Sequence, residues 1–309
     1  MQFHITAPLF AIIAIGYAAV RFNVVPKAMV PGIGRFVLYI ALPALIFRAL
    51  MNAPINEVIN ISFMTAYAGG ALTTFILALI IFKAIMDKPL TASGVGALGS
   101  SFSNVIFIGF PVAVQVFGSV PAAAFTMALL IDNFFMLPLS LIVMEAGTGK
   151  ASATNMVGTL RKIAASLIKN PLIIAIIAGL CFSALDWQLP KTAVRVIDML
   201  ADSSGGVGLF YAGGVLVGAT LKGRLPTMAT VTLLKLMVCP VVVAILVSVL
   251  PPMDRELGIA VVIFASAPMF AIYPVIASKY GMEQECASTL LAATGVSFVT
   301  MSVGLMLVL

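Results

Sequence analysis

Run after run of about twenty apolar residues, separated by short polar breaks, leaves this chain few ways to fold. Each run is long enough to cross the hydrocarbon core of a bilayer. In lipid every backbone polar group must bond internally, so spanning segments are helices or strands of closed barrels. Unbroken apolar runs without strict alternation read as helices. Ten spans are expected, near residues 5–22, 33–51, 61–83, 93–117, 120–145, 171–187, 193–220, 227–250, 256–279 and 285–308. The breaks between them read VPKAMVPG, NAPINE, DKPL, the polar stretch 146–170, QLPK, KGRLP, PPMDRE and KYGMEQE. Only 9% of the 309 residues are charged and 62% are hydrophobic, too little charge to cover a soluble domain. The first run lacks a basic leader and a small-residue cleavage site, so it reads as a retained helix.

Charge orients the bundle. Of 17 Lys and Arg residues, twelve follow odd-numbered spans, whereas the other face holds Arg48, Lys191, Arg195 and Arg255. The rich side is expected to be cytoplasmic, which puts both termini outside a multi-pass protein of the cell (inner) membrane. No basic run with interleaved aromatics exists, so the net charge of +6 points to orientation and not to nucleic acid. Cys181, Cys239 and Cys286 are isolated and read as small buried hydrophobes.

The chain also repeats. At an offset of 163 residues, Pro8 falls on Pro171, Pro89 on Pro252 and Pro111 on Pro274. Gly16 falls on Gly179, Phe107 on Phe270, Gly118 on Gly281, and Phe110 and Phe117 on Tyr273 and Tyr280. Seventeen scattered prolines would give fewer than one match at a given offset by chance. Five helices per copy is an odd number, so the second copy enters the membrane inverted, as in secondary transporters. The units are residues 1–145, a short cytoplasmic linker 146–170, and residues 171–309.

The shared interruptions fall in spans 4 and 9. SNVIFIGFPV (103–112) carries Ser, Asn, Gly and Pro where a lipid-facing helix avoids them. Pro is tolerated at the start of a helix, so Pro111 and Pro274 are read as starts of second half-helices. Inversion would bring both positive N-terminal ends to one region near the midplane, a setting for a carboxylate or phosphate. The free carbonyls ending the first halves could hold a cation. A kink satisfied by neighbouring helices is the plainer reading of one such Pro.

Other polar residues sit in the spans. Asp132 and Asn133 lie near the middle of span 5, where a carboxylate faces a cavity or a partner and is a candidate coupling group. Fixed in its ionised form it would repel an anion, and proton symport or antiport removes that conflict. Lys235 in span 8 either snorkels to the interface or pairs with Asp132 or substrate. Arg48 lies near the outer end of span 2, where it snorkels or attracts anions. His4, the one His, sits at the outer edge. Gly205-Gly206 and Gly213-Gly214 in span 7 suit close helix packing, and Gly206, the repeat mate of Pro43, suits a bend.

SNVIFIGFP, with Asn seven residues before Pro in the fourth of ten spans, resembles the auxin efflux carrier superfamily. LYIALPALIF (38–47) and the region SAPMFAIYPVIASKYG to CASTLLAATGVSFVT (266–300) resemble the family's helix 2 and helices 9 and 10. Bacterial members are carboxylate permeases and plant members are the PIN carriers. The resemblance implies an all-α polytopic membrane fold of ten helices as a 5+5 inverted repeat, related to sodium/proton antiporters and bile-acid symporters. Helices 1, 2, 6 and 7 would be a scaffold, and helices 4 and 9 would cross in a transport pack. It places the substrate carboxylate beside Asn104, with Ser103, Phe107, Pro111, Ala267, Pro268, Tyr273 and Pro274 around it. Two departures stand out: the long hydrophilic loop of plant members is absent, and the position 163 after Asn104 is Ala267, with no amide.

The function this implies is secondary active, alternating-access transport of small organic anions such as malonate, malate or auxin-like acids. An anion channel or uncoupled facilitator of the same fold is the alternative. An enzyme is not expected, because one His and one mid-membrane Asp cannot form a protease centre, and no P-loop or metal cluster is present. No cofactor is expected; H+ or Na+ is the candidate coupling ion. The expected partners are the anion and the bilayer, with a homodimer as a candidate assembly.

Overall fold

The computed structural model describes residues 3–51, 59–119, 121–148, 169–219 and 225–308. The described residues are helical apart from short connections, and most of the expected linker, 146–170, lies outside them. In chain order the helices are α1 (Phe3–Arg21), α2 (Lys27–Leu50), α3 (Ile61–Ile85), α4a (Leu90–Ser101), α4b (Val105–Phe117), α5 (Ala122–Ala146), α6 (Pro171–Ala184), α7 (Lys191–Val215), α8 (Leu225–Val249), α9a (Arg255–Ser266), α9b (Tyr273–Ser278) and α10 (Glu283–Val308). Five of them, α2, α3, α5, α8 and α10, are long and apolar enough to cross a membrane. The others include shorter apolar helices, and α7 carries Lys191, Arg195, Asp198 and Asp202 along its first half. Large apolar side chains such as Ile80, Leu233, Val249 and Leu307 face outward, as a lipid-facing surface requires.

The helices pack in two groups. In one, α1 lies along α7, α6 lies along α2, and α2 touches α7. In the other, α3 packs on α4a and α8, α5 on α4a, and α10 on α9a and α9b. Small residues permit the closest approaches. A Cβ at Gly16 would strike the main chain of Phe210, and one at Gly213 would strike the main chain of Ile13, so α1 and α7 meet backbone to backbone. Gly179 of α6 lies against Leu50 and Phe47 of α2. The expectation for α7 therefore divides: Gly213 and Gly214 pack, whereas Gly205 and Gly206 face open space.

Two pairs of left-handed residues match at the 163-residue offset, whereas left-handed Asp87 falls opposite the extended Leu250. Gly118 (φ 67°) and Gly281 (φ 72°) close α4b and α9b, and Asn23 (φ 60°) and Asp186 (φ 48°) follow α1 and α6. Glycine lacks the Cβ that penalises this region, and Asn and Asp tolerate it better than most side chains.

Four helices, α2, α4b, α5 and α8, carry a π-helical turn that ends immediately before an X-Pro step. The turns are Val37–Ala41 before Leu42-Pro43, Val105–Gly109 before Phe110-Pro111, Asp132–Met136 before Leu137-Pro138, and Leu234–Val238 before Cys239-Pro240. In each, the residue preceding Pro donates to the carbonyl five residues back. The proline ring crowds the carbonyl four residues back and donates no hydrogen bond, so the helix widens by one residue instead. Sequence pattern alone gave no hint of these turns, and three of them hold or adjoin the polar residues of the site.

Candidate functional site

The two interruptions meet. Ser103 and Met269 form an antiparallel bridge, and the Asn104 N–H donates to the Pro268 oxygen at 2.7 Å. Each break thus supplies backbone partners that the other needs inside an apolar bundle. The geometry also corrects one expectation. The helix resumes at Val105 and not at Pro111, because Asn104 caps it with Oδ1 accepting the Phe107 N–H at 3.1 Å. Pro111 lies further along α4b, after the π turn. At the second break the expectation stands closer: α9b starts at Tyr273 with Pro274 in its first turn. With six residues, α9b is too short to carry much of a helix dipole, so the positive end at the site belongs to α4b.

Beside the bridge lies a cavity of about 450 Å³. Ser103, Val105 and Ile106 of the first break, Phe270 and Ile272 of the second, Asp132 and Asn133 of α5, and Leu38 and Tyr39 of α2 line it. Exposed Lys169 and half-buried Asn170, which caps α6, stand at the same cavity. The first main-chain N–H groups of α4b, at Val105 and Ile106, have no carbonyl a turn earlier to bond.

Two buried ionisable side chains flank the bridge. Asp132 accepts from the Tyr67 hydroxyl of α3 at 3.0 Å through Oδ2, while Oδ1 is buried without a hydrogen-bond partner. Lys235 of α8 donates to Ser103 Oγ at 2.8 Å and to the Ala265 oxygen at 2.7 Å. Its burial, complete, excludes snorkelling, and no ion pair joins it to Asp132 among the described residues. Lys235 with Ser103, and Tyr67 with Asp132, thus form two hydrogen-bonded pairs contributed by three helices and the first break. Buried polar groups of this kind are costly unless they find partners.

The remaining residues are placed apart from this cluster. Phe107 packs its ring on Tyr211 of α7 at 4.9 Å, joining the two helix groups. Tyr273 rests against Gly99 of α4a. Ala267 is buried beside Pro268 at the second break, and Asn133 turns back to the Leu129 oxygen at 2.9 Å. Arg48 bonds Asp202 at 2.8 Å and Asp198 at 3.3 Å, which ties α2 to α7 away from the cavity. Tyr67, together with Phe102 and Lys169 of the cavity lining, was missed by sequence reasoning; a lone phenol in an apolar span carries no spacing signal. Outside the spans, Tyr280 donates to Glu145 at 2.9 Å, and burial, with that carboxylate beside it, pushes its phenol above the ordinary range.

Comparison with known proteins supplies the context. A family model described as "Membrane transport protein" matches residues 2–306. The chain is 26% identical over 299 residues to a protein of Rhizobium meliloti (strain 1021) described as "Putative malonate transporter", covering 96% of this chain and 92% of that one. It is 25% identical over 301 residues to the "Lysosomal cholesterol signaling protein" of Mus musculus, covering 89% of this chain and 34% of that longer protein.

Proposed function

Since the chain belongs to the membrane transport protein family, that of the auxin efflux carriers, we propose that this multi-pass membrane protein is a secondary active carrier of small organic anions. Malonate and related mono- and dicarboxylates are the first candidates, in keeping with the relative's description. The observation that carries the reading is the cavity at the paired breaks, where the N-terminal end of α4b, Ser103 and a buried carboxylate converge. A substrate carboxylate would accept from the free N–H groups at Val105 and Ile106 and from the Asn104 amide, beside the positive end of the helix. Its charge would be brought in with a proton on Asp132, which Tyr67 holds toward the cavity.

The ten-span, inverted 5+5 arrangement is part of the proposal. Matching left-handed residues at the 163-residue offset support it, as does the pairing of α1 with α7 and α6 with α2, which interchange under the repeat. In this reading α1, α2, α6 and α7 are the static group and the remainder moves with the substrate. Lys169 stands on the face that charge assigns to the cytoplasm, so the cavity is open inward. The test is uptake by purified protein in liposomes with labelled malonate, malate and indole-3-acetate. Saturable uptake of at least one, accelerated by an inward proton gradient, is the expected result; no uptake of any of them refutes the reading.

A further inference from the structure

The cavity at the breaks has walls from both helix groups. Ser103, Val105 and Asp132 belong to the group proposed to move, whereas Lys169, Asn170 and Leu172 come from the start of α6, which packs on α2. That start is fixed locally. Asn170 Oδ1 accepts the Leu172 N–H at 2.9 Å, and Pro171 takes the first helical position, where its missing N–H costs nothing. Lys169 precedes the cap and is exposed, so its charge stands at the positive end of a 14-residue helix. Among the described residues no carboxylate pairs with it. One cavity thus carries a positive feature on each group: the first N–H groups of α4b, and Lys169 with the α6 start. Asp132, the acidic residue of the lining, is buried with Oδ1 unbonded, which marks a polar group that a ligand completes. At about 450 Å³ the cavity is roomier than one carboxylate group needs and falls in the range of small-ligand sites.

We propose that Lys169 is a specificity-determining residue that selects dicarboxylates, and that it acts only at the cytoplasmic face. This rests on the carrier reading above. One carboxylate of the substrate sits at the α4b start, and the second reaches the Lys169 ammonium. The first contact travels with the moving group; the second stays behind with α6. The ammonium therefore strengthens binding while the site is open inward and is out of reach once the site faces outward. A monocarboxylate leaves it in water and gains nothing from it.

The comparison is between malonate and monomethyl malonate, which differ by one charge and one methyl group. Each competes against labelled malonate in inside-out and right-side-out vesicles from cells that make the protein. In inside-out vesicles malonate should compete at least fivefold better than its monoester. Lys169→Gln should abolish that preference, and Lys169→Arg, which keeps the charge, should restore it to within twofold. In right-side-out vesicles the preference should be the same in all three proteins. A preference that Lys169→Gln leaves intact, or lowers equally on both faces, overturns the proposal. Wild-type protein supplies a further check: the cytoplasmic preference should shrink at least threefold as KCl rises from about 10 to about 300 mM, because an exposed charge is screened. A salt-independent preference overturns it too. Malonate uptake with no difference between the acids sinks this proposal alone, whereas no uptake in either orientation sinks the carrier reading as well.

Discussion

Asn104 does two things, one with its side chain and one with its main chain. Its Oδ1 caps α4b, and its main-chain N–H joins the second break. Asn104→Asp keeps the capping oxygen and adds a negative charge, so melting should change little while carboxylate binding falls more than tenfold. Equal losses in both would assign the residue to structure alone. Tyr67→Phe deletes one hydroxyl and leaves both Asp132 oxygens unbonded, which should lower stability by about 2 kcal/mol in chemical unfolding. The two residues differ in legibility. Asn104 stands out because an amide beside Ser in an apolar run has no other purpose. Tyr67 is an aromatic among apolar neighbours, and only the approach of α5 reveals its partner. Lys235 was visible as a charge within an apolar span, to be placed by snorkelling or by pairing with Asp132 or substrate, but its acceptors are a hydroxyl and a main-chain oxygen, which no residue pairing in sequence announces.

The helical elements show where sequence reasoning reached and where it stopped. Long apolar runs set the helices, and their ends fall within a few residues of the breaks in polarity. The interruption of span 4 was placed at Pro111, because proline suits a helix start. Asn104 instead caps the helix seven residues earlier, and Pro111 acts on the turn behind it. The same device sets the register of Asp132 and Lys235, each inside a π turn before X-Pro. Pro138→Ala should let α5 return to an ordinary helix, turning the segment before the proline by one residue step, about 100°. Asp132 would then lose Tyr67. Transport should drop at least tenfold in a variant that melts no lower than wild type; unchanged transport would show that the turn does not position the carboxylate.

At the scale of the whole molecule the contacts between the two helix groups are few, and the buried hydroxyl pair Thr6–Ser302 at 2.7 Å is one of them. In an alternating-access cycle this pair must separate. Cysteines at both positions, in a Cys181→Ala background to remove the exposed native thiol, should stop transport when oxidised and regain it when reduced. Transport that continues after complete cross-linking would contradict relative motion of the two groups. The 163-residue register was legible at this scale from proline and glycine alone, because those residues mark backbone geometry. Which helices lie side by side was not, since packing partners depend on the depth and tilt of each helix.

The central claim is that small carboxylates bind at the paired breaks and are carried, not conducted. Counterflow measures this most directly: liposomes preloaded with unlabelled malonate are diluted into trace labelled malonate. The account predicts a transient accumulation above equilibrium with wild-type protein, and none with Asn104→Asp. Linear, non-saturating entry, or an equal overshoot in both proteins, would contradict it.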